Sequence, residues 1–434
     1  MKIYFIGIGG IGTSALAQYY LSKGHNVLGS DLAASEITEF LNEKGAKVFV
    51  GNSADNILSD IDMVVYSPAV KPENPEFKKA KELGIKIKSY PEALGELTRE
   101  YYTIAVSGSH GKSTTTAMLS LAMIKANLDP TVIVGTKLKE FGNSNFRMGQ
   151  SKFLVVEACE YDSSFLNYNP KIIIVTNIDK EHLDYFKNFA GVKKVFKDFV
   201  GKLPKDGFLV FCKDEKSIPK FGKAQFKSIG YSIKQKEALK VKKTLKVPGR
   251  HNVQNALAVL SVTRVLGVPD NITLKALSEF RGTWRRFEII REKDFTIISD
   301  YAHHPSEIKA TLQAAREKYP KAKIWCVFQP HQHQRTYYLF NDFVKVFSRA
   351  AGSRPAGRKI DKIIITDIYD VAGRETKKIN SQVSSEELVK KINKKNVSYA
   401  KMNDLENIIK ENIKPKDVLI IMGAGDIYKL SKNI

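Results

Sequence analysis

The stretch Ala105-Val106-Ser107-Gly108-Ser109-His110-Gly111-Lys112-Ser113-Thr114-Thr115-Thr116 joins an apolar strand to a glycine turn, a lysine and a run of hydroxyls at a helix start. In such a turn the backbone N–H groups point at phosphate and the helix N-terminus adds partial positive charge. The lysine neutralises the β- and γ-phosphates, and the first hydroxyl reaches Mg²⁺. Gly108, Ser109, His110, Gly111, Lys112, Ser113 and Thr114 are therefore candidates for holding ATP, with Lys112 expected to point into a solvent-filled nucleotide site. Val106 stands where the GxxxxGK[ST] pattern has its first glycine, which leaves a shorter GxxGKS loop.

Working outward, the run 153–156 ends at Glu157, and the run 172–175 leads into Thr176-Asn177-Ile178-Asp179-Lys180-Glu181-His182. Ligands of parallel α/β sheets sit beyond the carboxyl ends of the strands, so Glu157, His182 and the phosphate loop are expected to converge. Ser113, Glu157 and His182 are the candidate metal ligands. Further on, Pro248-Gly249-Arg250-His251-Asn252-Val253-Gln254-Asn255 opens a helix with Asn252 and Asn255 on one face. Two amides so placed suit an adenine edge or helix capping.

Upstream, a strand at 2–6 runs into Gly7-Ile8-Gly9-Gly10-Ile11-Gly12, a small-residue helix ending near Lys23-Gly24, and a strand at 26–29 that closes on Asp31. This is a Rossmann-like βαβ unit carrying GxGxxG and an acidic residue about 20 positions on. Alone it reads as a dinucleotide site, although the same glycines would hold the diphosphate of any nucleotide conjugate. Strands are also expected at 63–67 and 86–89, and the segment ends near Thr98-Arg99-Glu100.

Downstream, a third segment starts around Trp284-Arg285-Arg286-Phe287-Glu288. Strand 296–299 leads to Asp300-Tyr301-Ala302-His303-His304-Pro305-Ser306-Glu307, and strand 323–328 to Gln329-Pro330-His331-Gln332-His333-Gln334-Arg335-Thr336. Strand 363–366 leads to Asp367, and strand 418–422 to Gly423-Ala424-Gly425-Asp426. Alternating strands and helices imply another doubly wound sheet. The basic stretch 350–362 reads as an exposed loop. His303 and His304 are adjacent and have no third ligand at HExxH-like spacing, which speaks against a zinc site.

The 434 residues imply several domains. The expectation is an α/β protein of three: a Rossmann-like 1–98, a central P-loop ATPase-like 99–284 and a C-terminal Rossmann-like, doubly wound 285–434. No stretch approaches the roughly 18 apolar residues of a membrane span, and the start lacks a signal-peptide cleavage region, so a cytoplasmic protein with no membrane partner is expected. The net charge of +23 is spread along the chain, which favours phosphate-rich small substrates over nucleic acid. The three scattered cysteines form no CxxC pair.

GIGGIG with Asp31, SPAVKPENPEF, SGSHGKSTTT, VVEACEYDSSF, NIDKEHLD, GRHNVQNAL, RRFE, DYAHHPSE, FQPHQHQRT and MGAGDI stand in the order found in the Mur ligase family. The chain resembles that family over nearly its whole length. The resemblance implies ATP- and Mg²⁺-dependent amide ligation in peptidoglycan precursor synthesis, with UDP-N-acetylmuramate and L-alanine as substrates and an acyl phosphate between them. It replaces the dinucleotide reading with a UDP-sugar site at Gly9, Gly10, Ile11, Gly12, Asp31 and Ser67. It implies catalytic roles for Lys112, His182, Arg286 and Asp300, with Arg286 suited to the γ-phosphate and Asp300 to a ribose hydroxyl or bound cation. His182 matches a second Mg²⁺ ligand, Asn252 and Asn255 an adenine-binding pair, and Tyr301, His303, His331 and Arg335 an amino-acid pocket. A monomer or homodimer is expected.

Three departures stand out. The loop threonine common in the family is Ser113, an acidic position after Glu157 is Cys159, and the Arg-Tyr that many members carry after the FQPH histidine is Gln332-His333. Some sister ligases use a carbamylated lysine, and Lys193, Lys194 and Lys197 lie downstream of His182. Three alternatives remain at this point. A ligase adding a whole tripeptide to the same sugar nucleotide fits FQPHQHQRT less well. An NAD-dependent oxidoreductase leaves Lys112, Glu157 and His182 without work. A nucleic-acid-stimulated ATPase has no use for the first domain.

Overall fold

The computed structural model describes residues 1–219, 225–352, 359–370 and 382–434. The chain divides into two compact units, one of residues 1–244 with 253–280 and the other of 245–252 with 281–434. The first unit holds two sheets and the second holds one, which is the three-domain α/β class expected.

The N-terminal sheet comprises β1 (Lys2–Ile6), β2 (Asn26–Asp31), β3 (Lys47–Val50), β4 (Met63–Tyr66) and β5 (Lys86–Ser89), ordered β3-β2-β1-β4-β5 and wholly parallel. β1 lies where the strand order reverses, so the helix Ile11–Ser22 that follows it starts at a topological switch point, where α/β sheets bind ligands. The central sheet comprises β6 (Tyr102–Ser107), β7 (Thr131–Leu138), β8 (Ser144–Arg147), β9 (Phe153–Glu157), β10 (Ile172–Val175), β11 (Phe208–Cys212) and β12 (Lys227–Tyr231). Its order is β12-β11-β10-β6-β9-β7-β8, antiparallel only at β7–β8. β6 sits at its switch, between β10 and β9, and ends at the phosphate loop.

The sheet of the second unit comprises β13 (Glu288–Glu292), β14 (Thr296–Asp300), β15 (Ile324–Phe328), β16 (Lys362–Ile365), β17 (Val397–Tyr399) and β18 (Val418–Met422). Its order is β13-β14-β18-β15-β16-β17, with only β13 antiparallel. Two apolar clusters cover its two faces, one around Phe328, Phe343 and Phe347, the other around Leu405, Ile409 and Leu419. β10 and β18 are buried at every position, because parallel strands covered on both faces read as unbroken apolar runs. Strands β3, β7, β8, β12, β13 and β17 were not expected from the sequence, since they are short, partly exposed or mixed in composition, and neither was β11, although its run FLVFC is apolar throughout. The basic stretch 350–362 is corrected in part: Ala350 and Ala351 close the helix Phe340–Ala351, and Lys362 opens β16. Its centre, 353–358, lies outside the described residues. Among the described residues no helix is long and apolar enough to cross a membrane.

One buried carboxylate ties the first sheet together. Glu76 is fully buried and accepts hydrogen bonds from Tyr4 Oη (2.8 Å), Ser30 Oγ (2.5 Å) and Asn56 Nδ2 (2.8 Å), so three parts of the chain share one acceptor. Glu76→Gln keeps the shape but turns an amide towards one of these donors. It is expected to cost about 1 kcal/mol of stability, read as a lower urea midpoint of the full chain.

Candidate active sites

β6 delivers its last residue, Ser107, to the turn, and the helix Lys112–Lys125 begins immediately after it. Gly111 adopts φ +80°, and a Cβ there would lie 2.6 Å from Asn255 Oδ1, so only glycine lets the turn pass this close to the helix Arg250–Val265. The loop is braced by the segment after β10. Ser109 N donates to Asn177 O (3.0 Å), His110 N to Asn177 Oδ1 (2.8 Å), Asp179 N to Ser109 Oγ (2.8 Å) and Thr176 Oγ1 to His110 O (2.7 Å). The amides of Ser109 and His110, expected at phosphate, are thus used to shape the loop. The N–H groups of the helix's first turn have no intrahelical acceptor and are the main-chain donors left to meet an anion.

Lys112 departs from expectation. Its ammonium is not directed into open solvent: the side chain is 13% exposed and its Nζ donates to Glu160 Oε2 (2.9 Å), Gly108 O (2.6 Å) and Ser109 O (3.1 Å). Burial is the largest single influence and works against the charge, but the charge and hydrogen bond of the fully buried Glu160, together with its other acidic neighbours such as Glu157, outweigh it and raise the lysine pKa above its usual value. Glu160 lies in the quoted VVEACEYDSSF stretch, but no role was read for it there. Cys159 beside it is pushed up to about 12, chiefly by burial, so it remains a thiol and supplies no second anionic contact.

Glu157 ends β9 and accepts from Ser113 Oγ (3.1 Å) and Gly135 N (2.8 Å). Two cis oxygen ligands of an octahedral Mg²⁺ at about 2.1 Å stand about 3 Å apart, so the Ser113–Glu157 spacing and its hard-oxygen chemistry fit that ion. His182 falls in a different group. Its Nε2 is 3.9 Å from Glu160 Oε1 and its ring packs on Tyr161 at 4.8 Å, with the backbone at φ +55°. Lys194 and Lys197 are exposed, and Lys193 lies over its own helix's Phe189 ring. The side-chain amide of Asn252 donates to Pro248 O (2.7 Å), tying the start of its helix to the preceding turn, while Asn255 borders Gly111.

In the N-terminal sheet, Asp31, expected at the UDP-sugar, is already engaged by the glycine loop. Its carboxylate accepts from Gly9 N (2.9 Å) and Leu32 N (2.8 Å), and Thr13 Oγ1 donates to Gly7 O (2.7 Å), so the glycine loop is held from both ends. Gly10 precedes the helix that starts at Ile11, Gly12 packs against the Tyr90 ring, and Ser67 abuts Gly7. Tyr90 was not anticipated.

In the second unit, Arg286 stands between two residues in the left-handed region, Arg285 (φ +55°) and Phe287 (φ +50°). Two contacts secure this strained turn. Asp300 is buried and accepts from Phe287 N (2.7 Å) and Ala302 N (2.7 Å), and burial lifts its pKa to about 6 against the pull of Arg286 and the two amides. Arg285, also buried, lies 4.4 Å from the Tyr428 ring and donates to the carbonyls of Gly423 and Gly425. Asp300, expected at a ligand, therefore shapes the backbone that presents Arg286, because both its oxygens accept main-chain amides. Arg286 itself meets Glu307 (3.4 Å) and the Tyr301 ring (5.1 Å).

The amino-acid candidates come together. The rings of Tyr301 and His303 are 5.4 Å apart and those of His303 and His331 6.0 Å apart, while Arg335 Nη1 lies 3.1 Å from His331 Nδ1. Glu307 sits beneath His303, accepting from its backbone N–H (3.1 Å), and His304 caps the helix Pro305–Lys318. Sequence reasoning missed Glu160, Asn177, Arg285 and Glu307. All four lay in quoted motifs, but their partners are set by the fold.

Three family models cover most of the chain in order: Mur ligase family, catalytic domain, over residues 2–102; Mur ligase middle domain over 106–263; and Mur ligase, glutamate ligase domain, over 285–425. The chain belongs to the Mur ligase family. This Mur ligase is 41% identical to the UDP-N-acetylmuramate–L-alanine ligase of Clostridium botulinum, over 99% of its own length and 96% of the relative's. Among solved structures it is similar to UDP-N-acetylmuramate-alanine ligase MurC from Thermotoga maritima, at 30% identity and a TM-score of 0.81, covering 100% of this chain and 97% of that one. A murein peptide ligase from Psychrobacter arcticus shares the fold at 22% identity and a TM-score of 0.73, covering 100% of this chain and 97% of that one.

Proposed function

We propose that this Mur ligase joins L-alanine to the lactyl carboxylate of UDP-N-acetylmuramate, forming UDP-N-acetylmuramoyl-L-alanine, ADP and phosphate in the cytoplasm. The observation that carries the reading is the 41% identity to an L-alanine ligase across 99% of the chain. The site chemistry supports it. A carboxylate resists attack by an amine because oxide is a poor leaving group. Transfer of the γ-phosphoryl of ATP to the carboxylate releases ADP and gives an acyl phosphate. The amine nitrogen then attacks the acyl carbon, phosphate departs and the nitrogen loses a proton.

On this reading residues 1–98 take the UDP-sugar through Gly9, Gly10, Ile11, Gly12, Asp31 and Ser67. Residues 99–284 take ATP, and 285–434 take the amino acid. Lys112 and the first helical turn stabilise charge on the transferring phosphoryl. Ser113 and Glu157 hold one Mg²⁺, which supplies charge neutralisation of the phosphates, and His182 serves a second cation. Asn252 and Asn255 serve the adenine. Arg286, on the turn shaped by Asp300, binds phosphate, and Tyr301, His303, His331 and Arg335 receive the amino acid. The protein acts as a monomer or homodimer on small molecules, without nucleic acid or membrane.

The test is phosphate release from ATP with UDP-N-acetylmuramate and single amino acids or the murein tripeptide, alongside controls with NADH and with DNA or RNA. L-Alanine-dependent release is expected. Release only with the tripeptide, or only with nucleic acid, overturns the reading. Glu157→Gln removes one anionic oxygen from a cation that prefers oxygen ligands, so the Mg²⁺ concentration for half-maximal rate is expected to rise about fivefold. An unchanged Mg²⁺ titration would make Glu157 a purely structural partner of Ser113 and Gly135.

A further inference from the structure

Tyr369 follows β16 and belongs to none of the motifs assigned above. Its amide donates to Pro330 O (2.8 Å) and its carbonyl accepts from Gln332 N (2.9 Å), so the chain is stitched to both neighbours of His331. This forms a one-residue parallel bridge between His331 and Tyr369. Their rings stack with centroids 5.5 Å apart and planes 8° apart. Gly425 leaves room for that ring, since a Cβ at 425 would lie 2.6 Å from Tyr369 Cγ. Backbone pairing, stacking and a glycine floor thus fix the ring together.

On its other side His331 meets Arg335. Nη1 lies 3.1 Å from His331 Nδ1 and donates to His331 O (3.2 Å). A guanidinium has only donors, so Nδ1 presents its lone pair and the imidazole plane helps set where the arginine fork points. A fork that binds a carboxylate through two parallel hydrogen bonds is sensitive to that direction.

We infer that Tyr369 is a positioning residue for the amino-acid carboxylate: it holds the His331 imidazole in the plane that directs Arg335. The inference rests on the amino-acid reading given above and names a determinant of that site. It is the face of the ring that acts, so the phenolic hydroxyl is dispensable. Because the carboxylate is common to all amino acids, Tyr369 affects affinity without choosing among side chains.

Steady-state phosphate release is measured with L-alanine, glycine and L-serine for the wild type, Tyr369→Phe, Tyr369→Leu, Tyr369→Ala and Gly425→Ala. Losing the stack is expected to raise the amino-acid KM on the order of fivefold in Tyr369→Leu and Tyr369→Ala, equally for all three substrates. The KM values for ATP and UDP-N-acetylmuramate and the kcat stay within about twofold. Tyr369→Phe retains wild-type values, and Gly425→Ala, which displaces the ring, behaves like Tyr369→Leu. A merely structural role would instead lower the active fraction and leave the amino-acid KM in place. An unmoved amino-acid KM in soluble Tyr369→Leu, a Tyr369→Phe defect as large as that of Tyr369→Leu, or a shift shared with ATP overturns the inference. Wild-type protein that shows no L-alanine-dependent release overturns the parent reading and this one together, whereas normal wild-type release with an unmoved Tyr369→Leu removes this one alone.

Discussion

Lys112→Met is expected to lower kcat on the order of a thousandfold, because a charge held at the transferring phosphoryl acts mainly in the transition state. The same substitution is also expected to destabilise the protein. Lys112 is the ion-pair partner of Glu160, whose side chain is 1% exposed, and removing the lysine strands that carboxylate in the interior. Breaking a buried pair from one side costs roughly 3–5 kcal/mol. The two effects separate in a double substitution. Lys112→Met with Glu160→Gln removes both charges of the pair, so most of the lost stability returns in urea denaturation while kcat stays as low as in the single variant. Full turnover by folded Lys112→Met would remove the lysine from phosphoryl chemistry. A double variant as unstable as the single one would show that Glu160 is not held mainly by Lys112.

Arg335→Lys is expected to raise the KM for L-alanine on the order of tenfold or more, the cost of exchanging a two-pronged guanidinium for a point charge at a carboxylate. The position after His331 that many family members fill with arginine is Gln332, which carries no charge, so Arg335 has less help here. The lysine also loses the planar fork whose Nη1 reaches both His331 Nδ1 and His331 O. Glycine and serine share the carboxylate and should weaken in step with alanine, while the KM for ATP stays near its starting value. Steady-state kinetics with the three amino acids checks this. A loss confined to ATP would reassign the arginine to the nucleotide.

These two residues also mark how far the sequence carries. Lys112 was legible because a glycine turn, a lysine and a hydroxyl at a helix start form a contiguous signal whose chemistry follows from local geometry. Its resting partner was not. Glu160 lies 48 positions away and meets the lysine only because β6 and β9 pair in the sheet. The Ser113–Glu157 contact has the same origin, although there strand-end logic alone placed the two on one side of the sheet. Asp300 shows the converse. Its motif marked it as important, but its carboxylate is committed to Phe287 N and Ala302 N, and no pattern of residue types reveals which main-chain groups a buried acid accepts from.

By itself, then, the sequence determined the α/β class, the buried parallel strands at 2–6, 172–175 and 418–422, and the loops that carry chemistry at their ends. Apolar runs, glycine turns and helix starts are written in neighbouring residues, and short-range sterics and hydrophobic burial suffice to read them. Only the tertiary structure decided that Glu160 neutralises Lys112, that Asp31 and Asp300 brace loops, that Arg285 and Phe287 hold Arg286 on a left-handed turn, and that Tyr369 stacks on His331. Each of those depends on strand order and register. These are set by the packing of whole sheets, so residues far apart in the chain become neighbours whose charge and orientation no local pattern records.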